Sequence, residues 1–182
     1  MPGAVLTRHP AFPTEVVQGV QVDISRNSGA TLHFRYILEA HMDRIRVPPL
    51  RAAQRKDELW KHTCFEAFVS QGTSGGYYEF NFSPSTEWAM YSFNGYREGM
   101  ASVTPIERDW LPRVSVRQLP QGLELEAVVH LASMPLVPAD ATLRLAPSAI
   151  IEEEGDELSY WALNHPSGHP DFHNAKSLGL EI

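Results

Sequence analysis

An all-β, antiparallel sandwich of jelly-roll type is the fold class the sequence predicts, on three observations. Apolar and polar residues alternate with a period of two in run after run. The runs are short, about nine or ten of them, and none carries a sustained helical period. Fourteen Pro and twelve Gly fall between the runs as punctuation and are not gathered into a linker. At 182 residues the chain is expected to form one domain, residues 1–182. A globule of that size buries roughly 70% of its unfolded surface and needs no metal or disulfide staple.

The first two runs, residues 16–25 (VVQGVQVDIS) and 30–39 (ATLHFRYILE), flank Arg-Asn-Ser-Gly and read as a hairpin. In the second, Leu32, Phe34, Tyr36 and Leu38 share one face. Residues 41–62 form a basic, Pro-containing connection in which residues 51–59 (RAAQRKDEL) have the composition of a short helix. Three close strands follow at 63–70, 77–83 and 87–93, the first pair joined through a Gly-rich turn. Later strands are expected at 113–119, 123–131, 142–151 and 158–163. The acidic run Glu152-Glu153-Glu154-Gly155-Asp156-Glu157 lacks the ligand spacing of a calcium loop and reads as a solvated hairpin tip.

Alternation within two of these strands places the chemistry. Along residues 64–69, Phe65, Ala67 and Val69 take one face, and Cys64, Glu66 and Phe68 the other. Along 77–82, Tyr78, Phe80 and Phe82 separate from Tyr77, Glu79 and Asn81. If the strands are neighbours, Glu66, Glu79 and Asn81 share one polar face floored by aromatic groups; the plainer alternative is an ordinary wet sheet face. Trp60, beside His62 in a charged loop, and Trp161, leading into a His-rich loop, are the tryptophans placed to stack on a ligand, although core packing is the common fate of any one Trp. Arg97 offers a guanidinium for Glu66, Glu79 or a ligand anion. Cys64, the sole cysteine, excludes an intrachain disulfide and reads as an inert small hydrophobe.

Three of the eight histidines, His165, His169 and His173, recur at intervals of four. On a helix that spacing chelates zinc. Here Pro166 and Pro170 push His165 and His169 out of the helical region, so the repeat projects no common face and no metal site is expected. Hydrogen-bonding roles for His165, Asp171 and His173 remain, including an Asp171–His173 pair, with His169 a bystander. The net charge of −7 without a basic cluster argues against a nucleic-acid partner. No run reaches membrane-spanning length, and with a single Cys and no apolar leader a cytoplasmic location is expected.

Three stretches, DELWKHTCFEAFV (57–69), YYEFNFSPSTEWAMYSF (77–93) and SYWALNHPSGHPDFH (159–173), give the sequence a resemblance to DOMON-like domains, β-sandwiches related to family-nine carbohydrate-binding modules, in a stand-alone bacterial branch. The resemblance implies a non-catalytic sandwich binding a carbohydrate or sugar-like small polar ligand, with Trp60, His62, Glu66, Glu79, Asn81, Arg97, Trp161, His165, Asp171 and His173 as ligand-binding candidates. It also implies an alternative, a b-type haem held by Met90 or Met100 with His165 or His173; otherwise no cofactor is expected. A third possibility from the residues is an acid–base enzyme using Glu66 or the Asp171–His173 pair.

Overall fold

The structure, a computed structural model, describes residues 3–27, 30–71, 75–134 and 141–182. The predicted turn residues 28–29 and 72–74 lie outside the described residues. Twelve strands run through the rest: β1 Gly3–Arg8, β2 Val17–Arg26, β3 Thr31–Ala40, β4 Cys64–Gln71, β5 Tyr77–Phe82, β6 Trp88–Phe93, β7 Ala101–Ser102, β8 Arg113–Leu119, β9 Gly122–His130, β10 Leu143–Glu152, β11 Leu158–Ala162 and β12 Leu180–Glu181. All their pairings are antiparallel, and among the described residues helical structure is limited to single 3-10 turns. The all-β class is therefore as the alternation predicted. The sequence reading missed β1, whose six residues bury only Leu6 and so carry almost no pattern.

The strands follow the order β7-β6-β5-β4-β10-β11-β1-β2-β3-β9-β8, with β12 added against β10. β1 is where the two sheets of the sandwich join. Its residues Gly3–Leu6 pair with β2, and Thr7 and Arg8 pair with β11. A strand that leaves one sheet and enters the other makes the corner of a sandwich without a loop. Pro147 falls in β10 between the segment paired with β12 (Arg144, Leu145) and the segment paired with β11 (Ser148–Glu152). A residue with no N–H is tolerated at such an interruption.

Between the sheets lies the main core. Leu32, Phe34, Tyr36 and Leu38 of β3 all point into it, and Phe65, Ala67, Val69, Tyr78, Phe80 and Phe82 meet them from β4 and β5. Phe34 meets Phe82 at 5.8 Å and Tyr36 meets Phe65 at 5.1 Å between ring centroids. The Tyr36 hydroxyl is fully buried and donates to the Glu66 carbonyl across the sandwich at 2.6 Å, which satisfies the one polar atom that ring brings inside.

Two local expectations are corrected. Residues 51–59 form no α-helix; only Leu59 is helical, opening a single 3-10 turn. They run as an extended strap in which Trp88 N donates to the Gln54 carbonyl, and Arg51 N and Lys56 N donate to the Ser85 and Trp88 carbonyls. Pairing with the β6 edge outweighs a helix too short to sustain itself. The acidic run is a β10–β11 hairpin turn with Gly155 and Asp156 at positive φ, but it is not solvated throughout. Glu152 and Glu153 are buried, and the Glu152 carboxylate accepts from Arg46 at 2.8 Å and contacts His62 Nδ1 at 2.8 Å.

Replacing Tyr36 by Phe leaves the packing volume and removes only the cross-sheet bond. We expect a loss of about 1 kcal/mol, a fall of roughly 2–4 °C in Tm, read by thermal or urea denaturation. An unchanged Tm would mean that bond contributes nothing.

Candidate functional site

The outer face of β10, β4, β5 and β6 is not a wet sheet surface. Register sets its side chains in rows: Ser148, Glu66, Asn81 and Ala89 side by side, then Ala146, Phe68, Glu79 and Tyr91, then Arg144, Ser70, Tyr77 and Phe93. Glu66 and Glu79 are 3% and 5% exposed, so the plain solvent-face alternative fails. The reason is a roof. The His-rich chain contributes Pro170, Phe172 and His173, the turn after β6 brings Arg97 and Met100, and Trp60 closes a third side. Together they enclose a cleft of about 360 Å³ whose floor holds Glu66, Glu79 and Phe68.

A hydrogen-bond chain fixes the roof over the floor. Arg97 N donates to the Tyr77 hydroxyl at 3.2 Å, and that hydroxyl lies 2.8 Å from His173 Nδ1. With Tyr77 donating to Nδ1, the imidazole proton sits on Nε2, which faces Glu79 at 3.7 Å. Glu79 in turn accepts from Asn81 at 2.8 Å. Asn81 therefore lies under the floor, orienting Glu79, with the Cys64 thiol donating to its Oδ1 at 3.8 Å. Glu66 is different: among the described residues its carboxyl has no hydrogen-bond partner.

Asp171 does not pair with His173. Its oxygens accept from Arg97 at 2.9 Å and from the Tyr96 hydroxyl at 2.7 Å, pinning the 94–100 turn to the His-rich chain. Arg97 reaches that geometry with φ of +55°, a left-handed conformation that costs a non-glycine residue about 1–2 kcal/mol. Strain of this kind persists where surrounding contacts over-determine it, and here the Tyr77 and Asp171 contacts do so.

The electrostatics follow from burial. It pushes the Glu66 carboxyl well above the usual carboxylate range; neighbouring Glu79 adds to the rise and Arg97 opposes it. Glu79 is also raised by burial, against the pull of Asn81 and Arg97. Burial, helped by Arg97, lowers the His173 imidazole to about 4 against the opposing charge of Asp171, so the ring is neutral near pH 7. For Asp171, burial alone would raise the pKa, but the Tyr96 and Arg97 hydrogen bonds outweigh it and hold the carboxyl below its ordinary value. Burial raises the Cys64 thiol far above its ordinary range, which makes it inert as a nucleophile.

Of the ten residues nominated from sequence, Trp60, Glu66, Glu79, Arg97 and His173 border the cleft. Asn81 and Asp171 hold those groups in place. The other three stand elsewhere. Trp161 packs in the inter-sheet core with its Nε1 on Ser159 at 3.0 Å, so it offers no stacking surface in the cleft. His62 sits on Glu152 away from the cleft, and His165 donates Nε2 to the Thr7 carbonyl at 2.7 Å. His165, His169 and His173 lie in irregular chain, with Gly168 at φ +105°, and His169 is exposed. Sequence reasoning missed Phe93, Ile150, Tyr160 and Phe172 as cleft walls. Alternation held the signal for Tyr160: in β11 it must face opposite Trp161, and it pairs with Ile150 on the outer side.

No family model matches the chain, and no curated protein is similar to it at the level of sequence. Its fold does have solved counterparts. A protein from Bacteroides uniformis, described as a candidate carbohydrate-binding protein, superposes with a TM-score of 0.75 at 13% identity, over 98% of this chain and 84% of that one. A family-nine carbohydrate-binding module from Caldicellulosiruptor kristjanssonii in complex with glucose aligns with a TM-score of 0.49 at 11% identity, over 86% of this chain and 71% of that one. The same module in complex with cellotriose gives 0.49 at 10% identity, over 92% and 74%. The first likeness supports the fold alone, an antiparallel all-β sandwich.

Glu66→Gln tests the electrostatics. A carboxyl raised in the folded state favours folding below the unfolded pKa and loses that contribution as pH rises through the folded value. The variant should therefore raise Tm by about 2–4 °C at pH 8, a gain of about 1 kcal/mol, with the difference from wild type vanishing towards pH 4. His173 acts in the opposite sense: its contribution is lost as pH falls from about 6.5 towards about 4, and it cancels in that difference. A variant less stable than wild type at pH 8 would contradict the assignment.

Proposed function

We propose that the cleft binds a carbohydrate or sugar-like small polar ligand without catalysing its conversion. One observation carries the reading: the half-exposed indole of Trp60 borders the same cleft as the unpartnered carboxyl of Glu66. A sugar meets that combination with its C–H face on the ring and its hydroxyls on carboxylate, guanidinium and imidazole. Glu79, Arg97 and His173 supply further groups, each held from behind by a second contact, so the site is ordered before a ligand arrives. The cleft volume falls within the range of small-ligand sites. The fold shared with the Bacteroides uniformis protein and the DOMON-like resemblance of the sequence both support this reading.

The haem alternative fits less well. Met90 is packed between the sheets, and His165 is committed to the Thr7 carbonyl. Met100 and His173 border the cleft, but His173 already carries Tyr77 on Nδ1 and turns Nε2 to Glu79. Acid–base catalysis has one observation in its favour, two carboxyls with raised pKa sharing a cleft. Turnover of a panel sugar that Glu66→Gln abolishes would establish it in place of simple binding.

Calorimetry against a panel of mono- and disaccharides tests the main reading. We expect at least one binder, weakened about ten-fold or more by Trp60→Ala, the cost of truncating a central aromatic contact. No binder in the panel, or binding indifferent to that substitution, would end it.

A further inference from the structure

The charge inside the cleft narrows the ligand further, on the premise that the cleft takes a sugar. Two buried glutamates face one small space, and among the described residues no cation is bonded to either. The guanidinium nearby, Arg97, is committed to Asp171 at 2.9 Å, which leaves that pair neutral. His173 stands 3.7 Å from Glu79, and its low pKa keeps it uncharged near pH 7. The cleft thus offers an incoming cation two carboxyls that can ionise against it, with no protein cation already bonded to them among the described residues.

Two further observations point to a ligand cation. Glu66, only 3% exposed, borders the cleft with no hydrogen-bond partner for its carboxyl among the described residues. Leaving such a carboxyl unpaired costs on the order of 1–3 kcal/mol, more when charged, so a native cleft that keeps one on its floor is suited to a ligand that completes it. Around it stand Trp60, Phe68, Phe93, Tyr160 and Phe172, aromatic rings whose faces attract an alkylammonium.

We propose that the preferred ligand is an amino sugar, its protonated amine seated against Glu66 and Glu79 while the ring lies on Trp60. A calcium ion is a poorer match, because it takes six to eight oxygens and these side chains supply too few in an otherwise aromatic space. A neutral sugar fills the volume but leaves both carboxyls without a counter-charge.

The test is calorimetry at pH 7 with glucosamine, glucose, N-acetylglucosamine and choline, on wild type, Glu66→Gln and Glu79→Gln, each first shown to be folded by its thermal transition. The expected result is glucosamine binding about ten-fold more tightly than glucose or N-acetylglucosamine, with choline weaker than glucosamine. In Glu66→Gln the ratio of glucosamine to glucose affinity should fall towards one. Glucose binding as well as glucosamine would overturn the amino-sugar proposal and leave sugar binding standing. Choline binding as tightly as glucosamine would overturn it as well, as would a preference that survives both substitutions. Failure of every sugar would remove the underlying reading itself.

Discussion

The register of β4 against β5 is the constraint on which both the core and the cleft depend. Side chains alternate strictly along a strand, so one pairing decides which residues of both strands face the other sheet. With Glu66 opposite Asn81 and Phe68 opposite Glu79, the apolar set Phe65, Ala67, Val69, Tyr78, Phe80 and Phe82 fills the interior. A slip of one residue in either strand would drive its glutamate into the sandwich and lift its apolar set into the cleft. The cost of burying unpaired carboxylates in that core makes the observed register unambiguous.

The same sheet is covered on both faces, which is unusual for an antiparallel sheet with one wet side. On the inner face stability follows from close packing of apolar groups. On the outer face the chain accepts opposing costs: raised carboxyl pKa values at Glu66 and Glu79, a lowered one at His173, and left-handed backbone at Arg97. These costs cluster within one cleft, whereas ordinary stabilising contacts, such as the Tyr36 bond to the Glu66 carbonyl, lie behind it. Sites that sacrifice stability in this way are where binding or chemistry is to be sought.

Much of this was legible in the sequence because period two is a local signal. The faces of β4 and β5 came out correctly, and so did the pairing of Glu66, Glu79 and Asn81 on one of them. Proline chemistry rightly denied the three histidines a helical face. Parity, by contrast, is not local: nothing near Trp161 says whether it or Tyr160 points inward, since that depends on the register in which the strand pairs with β10. The partners of Asp171 were equally hidden, because Tyr96 and Arg97 lie more than seventy residues away and meet it only once the roof has folded. The strap at 51–59 misled for a related reason: its backbone partners belong to a distant strand edge and override its own preference.

The strand that joins the two sheets has a mechanical consequence for the cleft. β1 hands over from β2 to β11 between Leu6 and Thr7, and the Thr7 carbonyl is the atom that His165 grips. The roof chain is thus hinged at one end on the seam of the molecule and latched at the other by Tyr77 on His173 and Arg97 on Asp171. The stretch between those points spans the cleft like a beam on two supports, one of them rooted where neither sheet can shift without the other. Lifting it from the cleft would require Tyr77, Tyr96 and Arg97 all to release their partners.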